Sequence, residues 1–112
     1  MSNPPPDFAE LARALRAREV SSRELATDCL ARIKNHDEVL NAFISVTPEH
    51  ALAAADAADE LLAAGKAGPL TGIPMAHKDI FCAAGTRTTV GSKMLENFVA
   101  PYDANVVSKL SA

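Results

Sequence analysis

The sequence predicts a chain that begins with helices and then passes into shorter segments compatible with β-strands. Apolar residues recur at helical spacing near the start, and an alanine-rich run with strong helix propensity follows over residues 48–62. The composition changes at Gly68-Pro69, after which glycine, proline and hydroxyl residues become frequent. We therefore expect helices before this point and short strands joined by loops after it.

The first helix is predicted behind a proline-rich lead-in. Residues 1–6 contain three consecutive prolines and cannot propagate a helix. Asp7 is a typical N-cap, and Phe8, Leu11 and Leu15 then fall on one helical face. The domain proper is accordingly expected to span residues 7–112.

A second helix is predicted to begin at Ser21. Residues 21–24 read Ser-Ser-Arg-Glu and fit the capping box, in which the serine and glutamate side chains each satisfy the backbone N–H of the other residue. The polar residues 35–37 are expected to end this helix. The intervening residues 18–20 are too few for more than a turn, which favours a helical hairpin.

The next elements are a short strand and a third helix. Residues 40–46 include Phe43, Ile44 and Val46 and are compatible with a strand. Pro48 is suited to the first position of a helix, where its missing N–H costs nothing, and Gly65 is suited to end that helix.

The last third of the chain is predicted to be less regular. Residues 70–79 are apolar and β-compatible, residues 85–92 form a loop with at most a short strand, and residues 92–98 form a helical turn. Asp103 is expected to cap a final helix that carries Val106, Val107 and Leu110 on one face. Because this helix is short and its apolar face has no later element to meet, we expect the chain to be the front part of a longer protein.

Composition excludes several functional classes. The net charge is −3 and the pI is near 5.5, whereas a domain that binds nucleic acid by itself usually carries a basic patch. No apolar run approaches the roughly 20 residues of a membrane span, and residues 1–6 have neither the basic start nor the apolar stretch of a signal peptide. Cys29 and Cys82 have no metal-ligand spacing, so two free thiols in the cytoplasm are expected, with a single disulfide as the alternative.

Lys78 is the residue most suggestive of catalysis. It follows an apolar segment, and burial lowers the pKa of a lysine, which is how this side chain becomes a general base near neutral pH. The alternative is a lysine at a strand end that pairs with a carboxylate such as Asp79. Spacing alone does not decide between them, and His36, His50, His77 and Cys82 have no partner residues that would indicate a triad or a metal site.

Three motifs resemble the opening of the amidase-signature family. They are Gly-Ile-Pro followed by Lys-Asp over residues 72–79, Thr-Arg-Thr-Thr-Val-Gly-Ser over residues 86–92, and Pro-Tyr-Asp-Ala over residues 101–104. Residues 91–98, Gly-Ser-Lys-Met-Leu-Glu-Asn-Phe, are similar to the A subunits of aspartyl/glutamyl-tRNA amidotransferases within that family. The helices before these motifs fit the same family, so the resemblance covers nearly the whole chain.

The resemblance implies an α/β fold, in which N-terminal helices lead into the first strands of a mixed sheet covered by helices, a sheet that is incomplete here. It also implies a serine nucleophile, a bridging serine and a lysine, and the matching position for the lysine is Lys78. Both family serines belong to a Gly/Ser-rich region that this sequence lacks, and Ser92 lies in the motif on the lysine side. The fragment alone is therefore expected to be inactive.

The resemblance further implies a division of labour among subunits. The complete glutaminase subunit would release ammonia from glutamine within a heterotrimer, and two partner subunits would complete the complex. ATP and Mg²⁺ would be used chiefly at a partner subunit, which would also make most contacts with the tRNA, and this fragment would bind no cofactor or metal. The alternatives are a fragment of a stand-alone amidase that hydrolyses small amides, and a non-catalytic helical interaction module.

Overall fold

The computed structural model describes residues 6–111, which form four α-helices and one short 3-10 helix. The α-helices are α1 (Phe8–Arg16), α2 (Ser22–Leu40), α3 (Pro48–Ala63) and α4 (Asn105–Ser111), and the 3-10 helix covers Lys93–Leu95. The predicted proline-rich lead-in falls, except for Pro6, outside the described residues. None of the described helices is long and apolar enough to cross a membrane.

The described residues contain no β-strand, so the two strands predicted around residues 40–46 and 70–79 are wrong for this structure. The pairing seen between extended segments is one isolated antiparallel bridge between Arg87 and Val99. Leu40 instead ends α2, which runs three residues beyond the predicted stop at residues 35–37. Because no glycine or proline interrupts residues 35–40, the helix continues until Asn41 adopts a left-handed conformation with φ of 50°.

The first compact unit consists of the described residues up to Glu38 together with Pro48–Pro74. The predicted N-cap at Asp7 and the predicted capping box at Ser21 are confirmed, and Asp7 forms a capping box as well. Asp7 accepts a hydrogen bond from the Glu10 N–H at 2.9 Å and donates its own N–H to the Glu10 carboxylate at 3.1 Å. Ser21 and Glu24 form the same reciprocal pair, and the hydrogen bonds from Ser21 lower the pKa of the Glu24 carboxyl.

The start of α2 is also held by a residue from α3. The Asp59 carboxylate accepts the Ser22 N–H at 2.7 Å and the Arg23 N–H at 3.1 Å, which satisfies two of the N–H groups that a helix leaves unpaired at its N-terminus. The buried Ser22 hydroxyl donates to the Gly72 carbonyl oxygen at 2.9 Å. A Cβ added at Gly72 would meet Ser22 Cβ at 3.2 Å and Leu62 Cδ1 at 3.3 Å, and this close approach together with φ of 86° favours glycine.

Most buried side chains in the described part of the first unit are small. Its buried residues there are Leu15, Ala26, Ala55 and Ser22. Gly65 ends α3 as predicted, with φ of 68°, and the N–H groups of Gly65 and Lys66 return to the carbonyl oxygens of Leu62 and Leu61. The alanine-rich helices therefore pack through close approach more than through large apolar side chains.

The second unit consists of Val39–Thr47 together with the described residues from Met75 onward. Its buried residues are Thr88, Thr89, Ala100 and Val107. The predicted helical turn after Ser92 is confirmed as the 3-10 helix, with the Ser92 side chain accepting the Met94 N–H at 3.3 Å. The final helix is confirmed but begins at Asn105, because the Asp103 carboxylate instead accepts the Ala84 N–H at 2.7 Å.

Candidate active site

Lys78 opens a tight turn in the second unit. Its carbonyl oxygen accepts the Phe81 N–H at 3.0 Å. Its side chain is exposed, so the expectation that the lysine is partly withdrawn from water is not met in this structure. The segment before it, residues 73–77, forms neither helix nor strand.

The alternative pairing of Lys78 with Asp79 is also absent from the described residues. Ion pairs there join Arg13 to Glu19, Arg23 to Asp56 and Arg32 to Asp28, and all six side chains are more than half exposed. The Asp79 carboxylate is used elsewhere in the same unit.

Asp79 is bonded to the loop that contains the second motif. One carboxylate oxygen accepts the Thr89 N–H at 2.9 Å, and the other accepts the Thr89 hydroxyl. The Asp79 carbonyl oxygen accepts the Val90 N–H at 2.9 Å. The hydrogen bond from the Thr89 hydroxyl is the main reason that the pKa of Asp79 lies below its ordinary value, and burial opposes this effect.

The loop itself turns sharply at Val90 and Gly91. Both residues have positive φ, 55° and 66°, and the Ser92 N–H returns to the Thr89 carbonyl oxygen at 2.9 Å. Two successive residues with positive φ define a type I′ turn, for which glycine and asparagine are favoured. A β-branched residue such as Val90 is a genuine outlier in this region.

Backbone hydrogen bonds join the second and third motifs to the residues that flank them. Gly85 donates to the Ala100 carbonyl oxygen at 2.9 Å, and Thr88 donates to the Phe98 carbonyl oxygen at 3.0 Å. The Ala104 N–H donates to the Cys82 carbonyl oxygen at 2.8 Å. All three motif segments thus contribute to one network in the second unit, although the Gly-Ile-Pro end of the first motif belongs to the first unit.

Arg87 connects this network to the segment after α2. Its guanidinium donates to the Glu96 carbonyl oxygen and to the Ser45 hydroxyl, both at 3.2 Å. A cavity of about 330 Å³ lies beside it, lined by residues 44–47 together with residues 85–87 and Val99. It is walled by hydroxyl and aliphatic groups with one guanidinium, so Arg87 here fixes a loop.

The remaining sequence candidates are three histidines and two cysteines. His36, His50 and His77 are exposed, and Cys29 and Cys82 are free thiols, so the disulfide alternative is wrong for this structure. No group of three or more His, Cys, Asp or Glu side chains suitable for a metal ion occurs in the part of the chain that the structure describes. The sequence analysis did not predict the contact between Asp79 and Thr89. The signal that could have indicated it is that both residues lie in neighbouring motifs.

A family model described as Amidase matches residues 24–112. The chain belongs to the amidase family. The match includes all three motifs that carried the resemblance, and it confirms that resemblance.

Curated relatives of this amidase chain share one description. It is 64% identical to the A subunit of a glutamyl-tRNA(Gln) amidotransferase from Alkalilimnicola ehrlichii over 92% of the chain and 21% of the relative. It is 59% identical to a protein of the same description from Thiobacillus denitrificans over 97% of the chain and 22% of the relative. The chain therefore spans about a fifth of the length of these relatives.

Solved structures support the same family at the level of the fold. Two structures of a vestigial protein complex, described as revealing the evolutionary origins of an s-triazine catabolic enzyme, match 95% of this chain and 24% of their own chain. The TM-scores are 0.87 for the inhibitor-bound complex and 0.89 for the other, at 33% and 34% identity. The fold of the chain is therefore similar to that of these proteins.

Proposed function

We propose that this chain is the N-terminal part of the glutaminase subunit of a tRNA-dependent amidotransferase. The observation that carries the proposal is the 64% identity with the A subunit of a glutamyl-tRNA(Gln) amidotransferase across 92% of the chain. In this proposal, ammonia released from glutamine converts Glu-tRNA(Gln) to Gln-tRNA(Gln), or Asp-tRNA(Asn) to Asn-tRNA(Asn), in an ATP-dependent reaction.

Residues 7–112 then form the first part of a single amidase-signature domain of the α/β class. The mixed sheet and the Gly/Ser-rich nucleophile region belong to the downstream polypeptide. Two partner subunits complete a cytoplasmic heterotrimer, and a partner engages most of the tRNA and uses ATP and Mg²⁺. The acidic balance of this chain, −3, is compatible with that division because the chain need not hold the tRNA phosphates.

Lys78 acts in this proposal as the proton relay of a Ser-Ser-Lys site. The nucleophilic serine oxygen attacks the carboxamide carbon of glutamine, and its proton passes through the bridging serine to Lys78. The carbon–nitrogen bond breaks as the proton returns to the leaving nitrogen, which departs as ammonia. Water then cleaves the acyl-enzyme to glutamate by the reverse proton path.

The Lys78 side chain is accessible to a partner from the downstream polypeptide. Its amino group makes none of the ion pairs found among residues 6–111, so it is available to a serine supplied by that polypeptide. The backbone around it is tied down by Asp79, which gives the relay a defined starting point.

The test is glutamine hydrolysis by the complete enzyme that carries this sequence as its N-terminal part. Lys78→Ala is expected to lower kcat by at least about a hundredfold, the contribution of a general acid–base group. Lys66→Ala is the matched control, because Lys66 is also an exposed lysine but follows the end of α3 in the first unit. Ammonia release is measured with a coupled glutamate dehydrogenase assay. Unchanged turnover in folded Lys78→Ala enzyme would contradict the proposal.

A stand-alone amidase is the second candidate. The observation that favours it is the structural similarity to a complex related to an s-triazine catabolic enzyme, although identity there is only 33–34%. Assays with glutamine and with small aliphatic amides separate the two. Amidotransferase function predicts that partner subunits co-purify and that hydrolysis of glutamine is coupled to amide formation on tRNA.

A further inference from the structure

We infer that Asp79 and Thr89 are positioning residues that hold the backbone of Lys78 in place for proton transfer, a role that rests on the function proposed above. The two residues do not touch the reacting atoms themselves. They connect the turn that carries the lysine to a buried point in the neighbouring loop.

Lys78 depends on its neighbours for its position. Its exposed side chain makes none of the hydrogen bonds or ion pairs found among residues 6–111, and its own turn is closed by a single hydrogen bond from the Phe81 N–H. A side chain without hydrogen bonds or ion pairs can be aimed reproducibly only if its Cα is fixed. The fixed contacts nearest to it in sequence are those of Asp79.

Asp79 makes three hydrogen bonds to two consecutive residues. Both carboxylate oxygens are bonded to Thr89, and the carbonyl oxygen is bonded to the Val90 N–H. Bonds to an ionised carboxylate are shorter and about twice as strong as neutral ones. Together they restrain both the main chain and the side chain of the residue that follows the lysine.

Thr89 provides the rigid end of this contact. It is only 5% exposed, and its hydroxyl donates to Asp79 while accepting the Gly91 N–H at 3.2 Å. The adjacent Val90 has φ of 55°, which costs free energy that the surrounding hydrogen bonds must offset. Because the loop keeps this strained conformation, its geometry must be fixed by the surrounding hydrogen bonds.

A purely structural contact and a positioning contact make different predictions for kinetics. Loss of a structural contact lowers the amount of folded enzyme, whereas loss of positioning lowers kcat of the folded enzyme with little change in KM. Misplacement by about 1 Å can lower the rate about a hundredfold.

The experiment uses the complete enzyme with Thr89→Val, Thr89→Ser and Asp79→Asn. Thr89→Val removes the hydroxyl at nearly constant size and is expected to lower kcat for glutamine by about 10- to 100-fold, with KM changed less than about threefold. Thr89→Ser keeps the hydroxyl and is expected to restore kcat to within about threefold. Thr88→Val is the matched control, because Thr88 is equally buried but is not bonded to Asp79.

A second measurement follows Lys78 without relying on activity. Amide hydrogen exchange at Phe81 reports the bond that closes the lysine turn, and Thr89→Val is expected to speed this exchange about tenfold while Thr88→Val leaves it unchanged. If Thr89→Val does not fold, Asp79→Asn supplies both measurements, since it keeps the side-chain size and removes the charge.

The outcomes separate this inference from the proposed function. If wild-type enzyme does not hydrolyse glutamine, or Lys78→Ala leaves hydrolysis unchanged, the proposed function fails. If Lys78→Ala abolishes hydrolysis while folded Thr89→Val and Asp79→Asn keep kcat within twofold and leave Phe81 exchange unchanged, the positioning role is overturned. Equal losses of kcat in Thr89→Val and Thr88→Val would indicate a general structural effect and would also overturn the positioning role.

Discussion

Asp79 illustrates how one side chain can be charged, partly buried and satisfied at the same time. Its carboxylate accepts the Thr89 hydroxyl and the Thr89 N–H, and these bonds favour the ionised form. The pKa of Asp79 therefore lies below its ordinary value, with the Thr89 hydroxyl as the largest cause.

This shift predicts a pH dependence with a definite sign. A carboxyl whose pKa is lower in the folded state stabilises the fold above its unfolded pKa, about 3.9 for aspartate, and that contribution disappears as the pH falls through the lowered folded value. Carbon-13 NMR of the Asp79 carboxyl should show a midpoint below about 3.9, and Thr89→Val should raise it. A midpoint at or above the ordinary value in the folded chain would contradict the hydrogen-bonded geometry.

The backbone of Val90 is strained. Its φ of 55° destabilises the folded state, and a side chain that is 53% exposed buries too little apolar area to offset this. Val90→Asn is expected to raise the free energy of unfolding by about 1 kcal/mol, because asparagine tolerates the left-handed region. Urea denaturation followed by circular dichroism measures this.

The control for that prediction is Val99→Asn. Val99 is 54% exposed, like Val90, but is paired with Arg87 and does not have a positive φ. Asparagine is disfavoured in extended segments, so this substitution is expected to be neutral or destabilising. The same change in stability at both positions would show that backbone strain at Val90 is not the cause.

At the scale of secondary structure, helix ends were predictable where the signal was local. The capping box at Ser21 and the C-terminal Gly65 involve residues within a few positions of each other, and sequence patterns report such contacts directly. The end of α2 was not predictable in the same way, because its terminus at Leu40 carries no glycine or proline signal. The strand predictions were wrong because a short apolar run such as residues 40–46 does not specify a partner segment with which it could pair.

The sequence predicted Lys78 as the candidate residue but did not predict its exposure or the contacts around it. Lys78 was found because the family motif contains it, whereas its exposure and the bond between Asp79 and Thr89 depend on contacts ten residues apart in the sequence. The Asp59 contact with α2 spans 37 positions, and no local pattern encodes it.

The Asp59 contact predicts different consequences for two neighbouring aspartates of α3. Asp59→Asn removes the charge that faces the N-terminus of α2 and is expected to lower the free energy of unfolding by about 1 kcal/mol. Asp56→Asn removes only an ion pair with Arg23 in which both side chains are more than half exposed. It is therefore expected to lower the free energy of unfolding by only about 0–1 kcal/mol. Urea denaturation of both variants compares them, and an equal or larger loss for Asp56→Asn would contradict the capping role.

At the scale of the whole molecule, the chain divides into two units with small cores. Each unit has only four fully buried residues among those described, and several of these are alanine, serine or threonine. Large apolar side chains remain exposed in the second unit, among them Val39 at 88% and Met94 at 94%. Exposed apolar surface of this kind is typical of regions that other protein surfaces cover.

These features predict the behaviour of the isolated 112-residue chain. Calorimetry is expected to show no single cooperative transition, because the core of each unit is small. The isolated chain is also expected to hydrolyse no glutamine, since the proposed relay needs serines from the downstream polypeptide. A sharp two-state transition, or turnover that Lys78→Ala abolishes, would contradict these expectations.

The contact of Ser22 with Gly72 also constrains the order of events on the ribosome. The partners of the α2 N-terminus lie 37 and 50 positions further along the chain. At a synthesis rate of about 5–20 residues per second, Gly72 is made about 2.5–10 s after Ser22. Until Asp59 is made, about 1.9–7.4 s after Ser22, the start of α2 relies on its local capping box alone, and the nascent first unit closes only after its last segment has emerged.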